Sequence, residues 1–459
     1  MEKITIKGTV SGLPVINFHA AGIDVGSTVM AVSYTDGSGN QCLCKTGCFT
    51  EELRELVDLL GNEGVKDVAM EATGVYWMSL YEMLEDVGIR VTLINPGHYK
   101  KSDPKTDEND GLWIHQYHSC GILRNSHIAE EEYRELRNYI HERSVVQKQK
   151  SETLTRIHRI LTMMNIKIQH VISDIEGKGG MTILRAIASG NSNAEQLVNL
   201  IDAGSFKADR ETLISSLKGI YKKHFVTLLK MKLREYDFFI HQMINYEAHI
   251  EKTLKKIAEK QKKINNADNR QNKSENKKKS TQTKYARKNQ YRFDAAGYLR
   301  EILGIDLTLA EGMDEKMLLD IISVTGIDMS KWATAQHFAS WLNLSPRRMI
   351  TGGKCIGNER RRTTNPATQA FRISAQATGI SSKGYLGILY RRLCAKKGKK
   401  TATKAVARKI AVLFYTLVKN RQEYDVQIIE QRLNEQEEKR IRNLEKKAKK
   451  LGYSLQKIA

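Results

Sequence analysis

The first 125 residues alternate between short apolar segments typical of β-strands and longer segments with the periodicity of amphipathic helices. Three strand-like segments come first, and two of them flank the turn sequence Asp36-Gly37-Ser38-Gly39. A helix, a strand, a second helix and a further strand follow. Three antiparallel strands followed by helix–strand alternation indicate an α/β domain with a mixed sheet, which we place at residues 1–128.

The next part of the chain has the pattern of long helices. Residues 129–263 contain no proline. A nearly regular 3–4 apolar repeat, interrupted at Glu247, is formed by Ile240, Met243, Ile250, Leu254 and Ile257. Such a repeat serves either dimerisation or packing within the chain. We predict a helical, coiled-coil-like region over residues 129–260.

Shifts in composition divide the remaining residues into three parts. Residues 261–290 are polar and basic with few apolar side chains, and they predict a flexible linker able to bind phosphates. Residues 291–420 have helical patterns around a basic segment rich in glycine, and they predict a second, mainly α-helical domain. Residues 421–459 are highly charged and predict a solvated helical tail.

The charge balance predicts a polyanionic partner, because 74 Lys and Arg against 52 Asp and Glu give a net charge of +22. Residues 251–290 contain 14 basic and 4 acidic residues, and residues 391–420 contain 10 basic and no acidic residues. Two separate basic zones indicate nucleic acid more than a generic solvated surface. No segment resembles a signal peptide or approaches the ~18 apolar residues of a membrane span, so we expect a cytoplasmic protein with no membrane partner.

Four acidic residues of the first domain stand out by their position. Asp24 lies within the first strand-like segment and Glu71 ends a buried one, where a surface charge is not expected. Asp107 and Asp110 are three residues apart at the start of a predicted helix. By itself this pair is explained by capping beside Thr106, because acids in a first turn complement the helix dipole. Four carboxylates at one point would repel without a cation, so the whole set predicts a Mg²⁺ site suited to phosphodiester cleavage.

A glycine–arginine segment in the second domain is typical of phosphate recognition. Glycines let the backbone approach a phosphate, and neighbouring cations neutralise and orient it. The predicted nucleic-acid-binding residues of this segment and of a later helix are Arg347, Arg348, Gly352, Gly353, Lys354, Arg360, Arg361, Arg362, Lys404 and Arg408. A merely basic surface loop is the alternative interpretation.

Both domains resemble one known family. The first domain contains, in order, the motifs GIDVGS, MEATGVYWMSLYEML and INPGHYKKSDPKTDENDGLWI. It resembles the RuvC-like, RNase H-like domain of insertion-sequence transposases with a D-E-D-D acidic tetrad, which are bridge-RNA-guided recombinases. The second domain resembles the C-terminal transposase domain of that family through the stretch DMSKWATAQHFASWLNLSPRRMITGGKCIGNERRR.

The resemblance covers roughly residues 10–420 and implies roles for single residues. It places the acidic tetrad on Asp24, Glu71, Asp107 and Asp110, and it favours catalysis over capping for the last two. In the family, a serine before the glycine of the C-terminal motif attacks DNA and becomes attached to a phosphate. The resemblance also implies that the tetrad of a partner subunit assists this attack.

The matching position in this sequence is Thr351, which keeps the hydroxyl but adds a β-methyl group. We predict that Thr351 is the nucleophile. Ser345, six residues earlier, is the alternative, although a position before Pro346 favours a role in a turn.

The resemblance therefore implies a DNA transposase or recombinase that cuts and rejoins DNA at element ends and a target. It further implies a guide RNA, a divalent metal and a homo-oligomer, either a dimer or a tetramer. Two other functions remain open from the sequence. One is a RuvC-like structure-specific nuclease that hydrolyses DNA with the tetrad alone, and the other is an inactive, nucleic-acid-binding remnant of a transposase.

Overall fold

The computed structural model describes residues 3–6, 14–95, 107–201, 207–267, 289–346, 348–358, 365–425 and single positions between 442 and 452. Packing divides the chain into two compact units, Met1–Ile128 and Ala129–Ala459. The first unit contains a mixed α/β sheet and the second is mostly helical. This confirms, in outline, the fold class predicted for each part of the chain.

The described residues of the first unit form a six-stranded sheet and three helices. The strands are β1 (Lys3–Ile6), β2 (Ala20–Asp24), β3 (Val29–Thr35), β4 (Gln41–Gly47), β5 (Asp67–Glu71) and β6 (Arg90–Ile94). The helices are α1 (Thr50–Asn62), α2 (Met78–Asp86) and α3 (Asp107–Ser119).

The strand order of this sheet is β1-β4-β3-β2-β5-β6. Strands β2, β3 and β4 pair antiparallel, whereas β5 is parallel to β2 and β6 is parallel to β5. This mixed arrangement is consistent with the RNase H-like fold expected from the sequence. The sequence pattern does not predict β1, which pairs with β4 at the edge of the sheet.

The two faces of the sheet carry different helices. Ile23 of β2 and Met70 of β5 belong to the same core as Leu56 of α1 and Leu80 of α2. Alternate residues point the other way, and Ala69 of β5 packs with residues of α3 and β6. The helices α1 and α2 therefore cover one face, and α3 covers the other.

Helix α3 lies unusually close to β2. A Cβ atom at Gly22 would lie 2.1 Å from the backbone nitrogen of His115 and 2.7 Å from the carbonyl oxygen of Gly111. A Cβ atom at Gly111 would itself lie 2.7 Å from the carbonyl oxygen of Ala31. Glycine on both elements therefore lets the two backbones touch, and this contact sets the position of α3 on the sheet.

Replacing Gly22 with alanine should loosen α3 from the sheet. The new methyl group would meet backbone atoms that cannot rotate away, so we expect a loss of about 3 kcal/mol in local stability. Amide hydrogen exchange on the full-length protein should become faster in α3 and β2. Gly61→Ala is the matched control, because nothing lies within 4 Å of a Cβ at Gly61. Unchanged exchange of α3 in Gly22→Ala would contradict the close contact.

The second unit is a helical assembly with one β-hairpin. Its helices are α4 (Glu131–Met163), α5 (Ile168–Val171), α6 (Lys178–Ala188), α7 (Ala194–Asn199), α8 (Arg210–Leu217), α9 (Lys223–Ala267), α10 (Ala295–Leu303), α11 (Glu315–Thr325), α12 (Ala335–Trp341), α13 (Pro366–Ser381), α14 (Tyr385–Lys397) and α15 (Lys399–Asn420). The hairpin strands are β7 (Arg348–Thr351) and β8 (Lys354–Asn358). No helix in the described parts of the chain is long and apolar enough to span a membrane.

The two longest helices, α4 and α9, pack antiparallel along much of their length. The apolar repeat of α9 contributes to this contact, since Ile250, Leu254 and Ile257 are buried in one core with residues of α4. Packing within the chain therefore accounts for these three residues of the repeat. Helix α9 continues to Ala267, beyond the boundary predicted at residue 260.

The apolar repeat is interrupted at Glu247, and this residue forms a buried ion pair with Arg143. The Nε and Nη2 atoms of Arg143 lie 2.9 and 2.7 Å from Oε1 of Glu247. The same guanidinium donates to the carbonyl oxygens of Asn289 and Gln290 and lies 4.2 Å from the ring centroid of Tyr291. Arg143 thus joins α4, α9 and the chain entering α10, a role that the sequence pattern does not indicate.

The second unit has two cores at different levels of the α4–α9 pair. One contains Leu161 of α4 and Leu229 of α9 with the short helices α5 to α8. The other contains Leu136 of α4 and Leu254 of α9 with α10 to α15. The predicted middle region therefore shares a core with the predicted C-terminal domain instead of forming a separate body, because its long helices extend into that core.

Candidate active site

Two of the predicted acidic residues end neighbouring parallel strands. Asp24 is the last residue of β2, and Glu71 is the last residue of β5. The register pairs Ile23 with Met70, so Asp24 and Glu71 lie next to each other at the C-terminal ends of β2 and β5. We refer to these strand ends as the acidic edge of the sheet. Asp24 is half-buried and Glu71 is buried, with the Thr73 hydroxyl donating to Glu71 Oε1 over 3.3 Å.

The third acid reaches the same edge from α3. Asp110 is only 4% exposed, and it precedes Gly111, whose Cα faces the carbonyl oxygen of Ala31. Ala31 is in turn the antiparallel partner of Asp24. The contact between α3 and the sheet therefore brings Asp110 to the end of β2. Asp107 begins α3 one turn earlier, and only its backbone is described.

These acids provide the type of ligand that a divalent cation prefers. Carboxylate oxygens bind Mg²⁺, and Glu71 and Asp110 are both withdrawn from water. Within the described residues, however, no group of three or more His, Cys, Asp or Glu has the geometry of a metal site. The chemistry of the donors fits a cation, and its coordination stays a prediction. Thr106, the alternative cap, lies outside the described residues.

Comparison with protein families gives a match over part of the chain. Residues 21–166 match the transposase family DEDD_Tnp_IS110. This match supports an IS110-family transposase. The matched segment contains all four predicted tetrad positions and ends within α4, so it does not reach the β7–β8 hairpin. No curated protein matches the chain.

A polar network beneath α3 lies within the matched segment and is not evident in the sequence. His115 of α3 is buried, and its Nδ1 lies 2.8 Å from the Ser33 hydroxyl and 3.2 Å from Nε2 of Gln41. Its Nε2 lies 3.2 Å from the Thr35 hydroxyl. The alternation of Ser33 and Thr35 on β3 is the signal that could have predicted a polar partner on this face. The network fixes the rotation of α3, which carries Asp110.

A second polar contact holds the other end of α3. His118 Nε2 lies 2.9 Å from Oδ1 of Asp67, and Oδ2 of Asp67 is paired with Arg90 over 3.0 Å. Asp67 begins β5, whereas Glu71 ends it. This contact therefore lies at the opposite ends of the strands from the acidic residues. It fixes the C-terminal part of α3 on the sheet.

The predicted nucleophile lies on the β7–β8 hairpin. Thr351 ends β7, is exposed, and pairs with Lys354 across a two-residue turn. The φ angles of Gly352 and Gly353 are 55° and 74°, the combination that a tight hairpin turn of this kind requires. The two glycines are thus needed by the turn itself. The strand register makes Lys354 the direct cross-strand neighbour of Thr351.

The other predicted nucleic-acid-binding residues are divided between described and undescribed segments. Lys404 is exposed and Arg408 is half-buried, and both lie on α15 along a groove of the second unit. Ser345 is half-buried before Pro346. Arg348 begins β7, and only its backbone is described. The residues that lie outside the described segments are Arg347, Arg360, Arg361 and Arg362.

Acidification should destabilise the first unit through His115. Burial lowers the pKa of His115 from 6.5 to about 4, with a smaller contribution from the nearby His118. Because the unfolded chain takes up the proton first, this stabilisation is complete above pH 6.5 and is lost as the pH falls towards 4. The full loss corresponds to about 3 kcal/mol. Hydrogen exchange of α3 measured from pH 7 downwards, corrected for intrinsic rates, should show it.

The matched variants for this measurement are His115→Gln and His241→Gln. His241 is exposed on α9, so its replacement should leave the pH dependence of α3 unchanged. His115→Gln should lower stability at neutral pH and flatten the dependence below pH 6.5. An equally steep dependence in His115→Gln would show that another group is responsible.

Proposed function

We propose that the protein is a DNA transposase or recombinase that cuts and rejoins DNA strands. The observation that carries the proposal is the placement of Asp24, Glu71 and Asp110 at one edge of a mixed sheet, within the segment that matches a transposase family. Acids in these positions, two of them buried, are costly for folding alone and are explained by a reaction that needs them.

The acidic residues are proposed to hold divalent metal, with Mg²⁺ as the expected ion. Asp24, Glu71 and Asp110 would supply carboxylate oxygens, and Asp107 would add a fourth group from the first turn of α3. Bound cations would neutralise charge on the scissile phosphate and on the attacking and leaving oxygens. The residues of β2, β5 and α3 contribute by holding their carboxylates in place before the substrate arrives, so little reorganisation is required.

Thr351 is proposed as the nucleophile for strand cleavage. Its Oγ1 would attack the phosphorus atom and form an O–P bond, while the bond to a deoxyribose oxygen breaks. The proton of the threonine hydroxyl ends on the leaving oxygen, so a free strand hydroxyl is released. Attack by the hydroxyl of another strand reverses these steps and frees Thr351. The phosphodiester bond energy is retained in the threonine ester, so rejoining needs no external energy source. Lys354 would contact the phosphate oxygens from the neighbouring strand.

The protein is further proposed to work with a guide RNA as a homo-oligomer, either a dimer or a tetramer. The net charge of +22 and its two basic zones support the nucleic-acid partner. The support for the oligomer is the resemblance to the transposase family. The purified protein should then carry a discrete RNA, and its affinity for DNA should fall steeply with salt through release of counterions. A nucleic-acid-free monomer with salt-independent DNA binding would contradict this part of the proposal.

Neutral replacements of the acidic residues should abolish cleavage while DNA and RNA binding persist. Asp24→Asn, Glu71→Gln and Asp110→Asn should each lower the rate of strand cleavage more than about 100-fold, because charge stabilisation of several kcal/mol is removed. EDTA should have the same effect on the unmodified protein. Asp58→Asn is the control, since Asp58 is an exposed acid of α1 away from this edge. Cleavage that continues in EDTA would refute the metal-dependent reaction.

Substitutions at Thr351 should separate recombination from hydrolysis. Thr351→Ser should keep or raise activity, because the hydroxyl stays and the β-methyl is lost. Thr351→Ala should lose the covalent protein–DNA adduct on denaturing gels and lower recombination more than about 1000-fold. Ser345→Ala should keep the adduct. If the adduct survives in Thr351→Ala and disappears in Ser345→Ala, then Ser345 is the nucleophile. Free cut ends without any adduct would identify a hydrolytic nuclease instead.

A further inference from the structure

A long groove beside α15 combines an apolar floor with a basic rim. Its volume is about 1070 Å³, the upper end of the range for small-molecule sites. The floor and walls include the apolar or aromatic side chains of Leu344, Tyr385, Leu386, Leu413, Leu417 and Tyr424. The groove follows α15 from Lys400 to Leu417, a rise of about 25 Å, so it is a channel for an extended ligand.

The basic rim is a row of cations on successive turns of α15. Lys400, Lys404 and Arg408 are spaced four residues apart, which places them about 6 Å apart along the helix axis. Lys409 lies beside the row, with its Nζ 5.7 Å from the ring centroid of Tyr385. A regular row of positive charge beside apolar surface fits a ligand with repeating anionic groups and flat apolar parts.

Tyr385 is held at the groove by a carboxylate. Glu311 accepts hydrogen bonds from the backbone N–H groups of Leu386 and Gly387 at 2.9 and 3.0 Å, and from the Ser382 hydroxyl. Leu386 and Gly387 belong to the first turn of α14, so the negative charge of Glu311 lies at the positive end of a helix. Glu311 therefore fixes the start of α14 beneath Tyr385, and its charge is largely compensated.

The two remaining acids of the lining are Glu423 and Asp425, which flank Tyr424. Glu423 and Asp425 follow α15, whereas the cations occupy its first half. A phosphate backbone would be attracted to residues 400–409 and repelled from residues 423–425. Carboxylates can accept hydrogen bonds from the amino groups of bases. The lining thus offers cations on the first half of α15 for phosphates, and apolar side chains with two carboxylates for bases.

We propose that this groove binds single-stranded, unstacked nucleic acid, with phosphates on the α15 cations and bases against the apolar floor and Tyr385. The inference rests on the proposed function, because cutting and rejoining strands exposes unpaired nucleotides. A duplex keeps its bases paired inside, so it could contact the cations but could not fill the floor. An acidic peptide could likewise use the cations, but it offers no flat surfaces to the floor and Tyr385.

The test fills the groove without changing any charge. Ala405 of α15 is half-buried and lines the groove. In Ala405→Phe the new ring should fill the groove beside the α15 cations and exclude bases from the floor, and the change from alanine to phenylalanine costs less than about 1 kcal/mol in helix propensity. The matched control is Ala395→Phe, at an exposed position of α14 that does not line the groove. Circular dichroism melting of both variants verifies that they fold.

Binding is measured by fluorescence anisotropy on the full-length protein freed of co-purified nucleic acid. The probes are labelled oligothymidylate and oligouridylate of about 12 nucleotides, which distinguish DNA from RNA, and a DNA duplex of the same length. Ala405→Phe should weaken binding of at least one single-stranded probe by about tenfold, the value of one stacked base, and should leave the duplex within about twofold. Tyr385→Leu should act in the same direction. Ala395→Phe should change neither.

Unchanged affinity for both single-stranded probes in Ala405→Phe overturns the inference, and so does an equal loss for duplex and single strands. Competition by a polyglutamate peptide that equals competition by oligothymidylate would identify an acidic protein segment as the ligand and overturn it as well. Recombination by the unmodified protein is assayed separately. An active recombinase whose single-strand binding ignores Ala405→Phe rejects the groove alone, whereas selective loss of single-strand binding in an inactive protein rejects only the proposed activity.

Discussion

The backbone contact between α3 and β2 is the constraint on which the candidate active site depends. Because Gly22 and Gly111 have no side chains, the backbone of α3 can contact the backbone of the sheet, and a Cβ atom at either position would separate them. The contact places Asp110, the residue before Gly111, at the end of β2, where Asp24 stands. The two glycines therefore set the position of an acid that neither of them contacts through a side chain. The His115 network then fixes the rotation of the helix that the glycines have brought close.

The sequence predicts the first unit well because its signals are local. Apolar alternation and turn residues mark β2 to β6, and an acid that ends a buried strand, such as Glu71, is visible without any partner. The same reasoning cannot find β1, whose four residues pair with a strand about forty positions away. Nor can it find His115, because a histidine on an apolar face becomes informative only when Ser33 and Thr35 are known to lie opposite.

The sequence predicts the second unit less well, because the organisation of this unit depends on packing between residues that are far apart in the chain. The repeat in α9 is evident in the sequence, but its break at Glu247 is explained only by Arg143, 104 residues away. Likewise, Gly352 and Gly353 suggested approach to a phosphate, whereas the structure shows that a tight turn already requires them. Thr351 is exposed beside that turn, which is compatible with its proposed role. The groove along α15 depends on Glu311 and α14, which no local pattern connects.

The α4–α9 pair fixes the distance between the two cores of the second unit. Leu229 and Leu254 of α9 belong to different cores and are separated by about 38 Å of helix. A single inserted residue would turn one core face by about 100° relative to the other, and the buried pair at Arg143 would be lost. Seven residues added to each helix would nearly preserve both faces and lengthen the spacing by about 10 Å. Evolution can therefore change the distance between these cores only in steps of about two helical turns, made in both helices together.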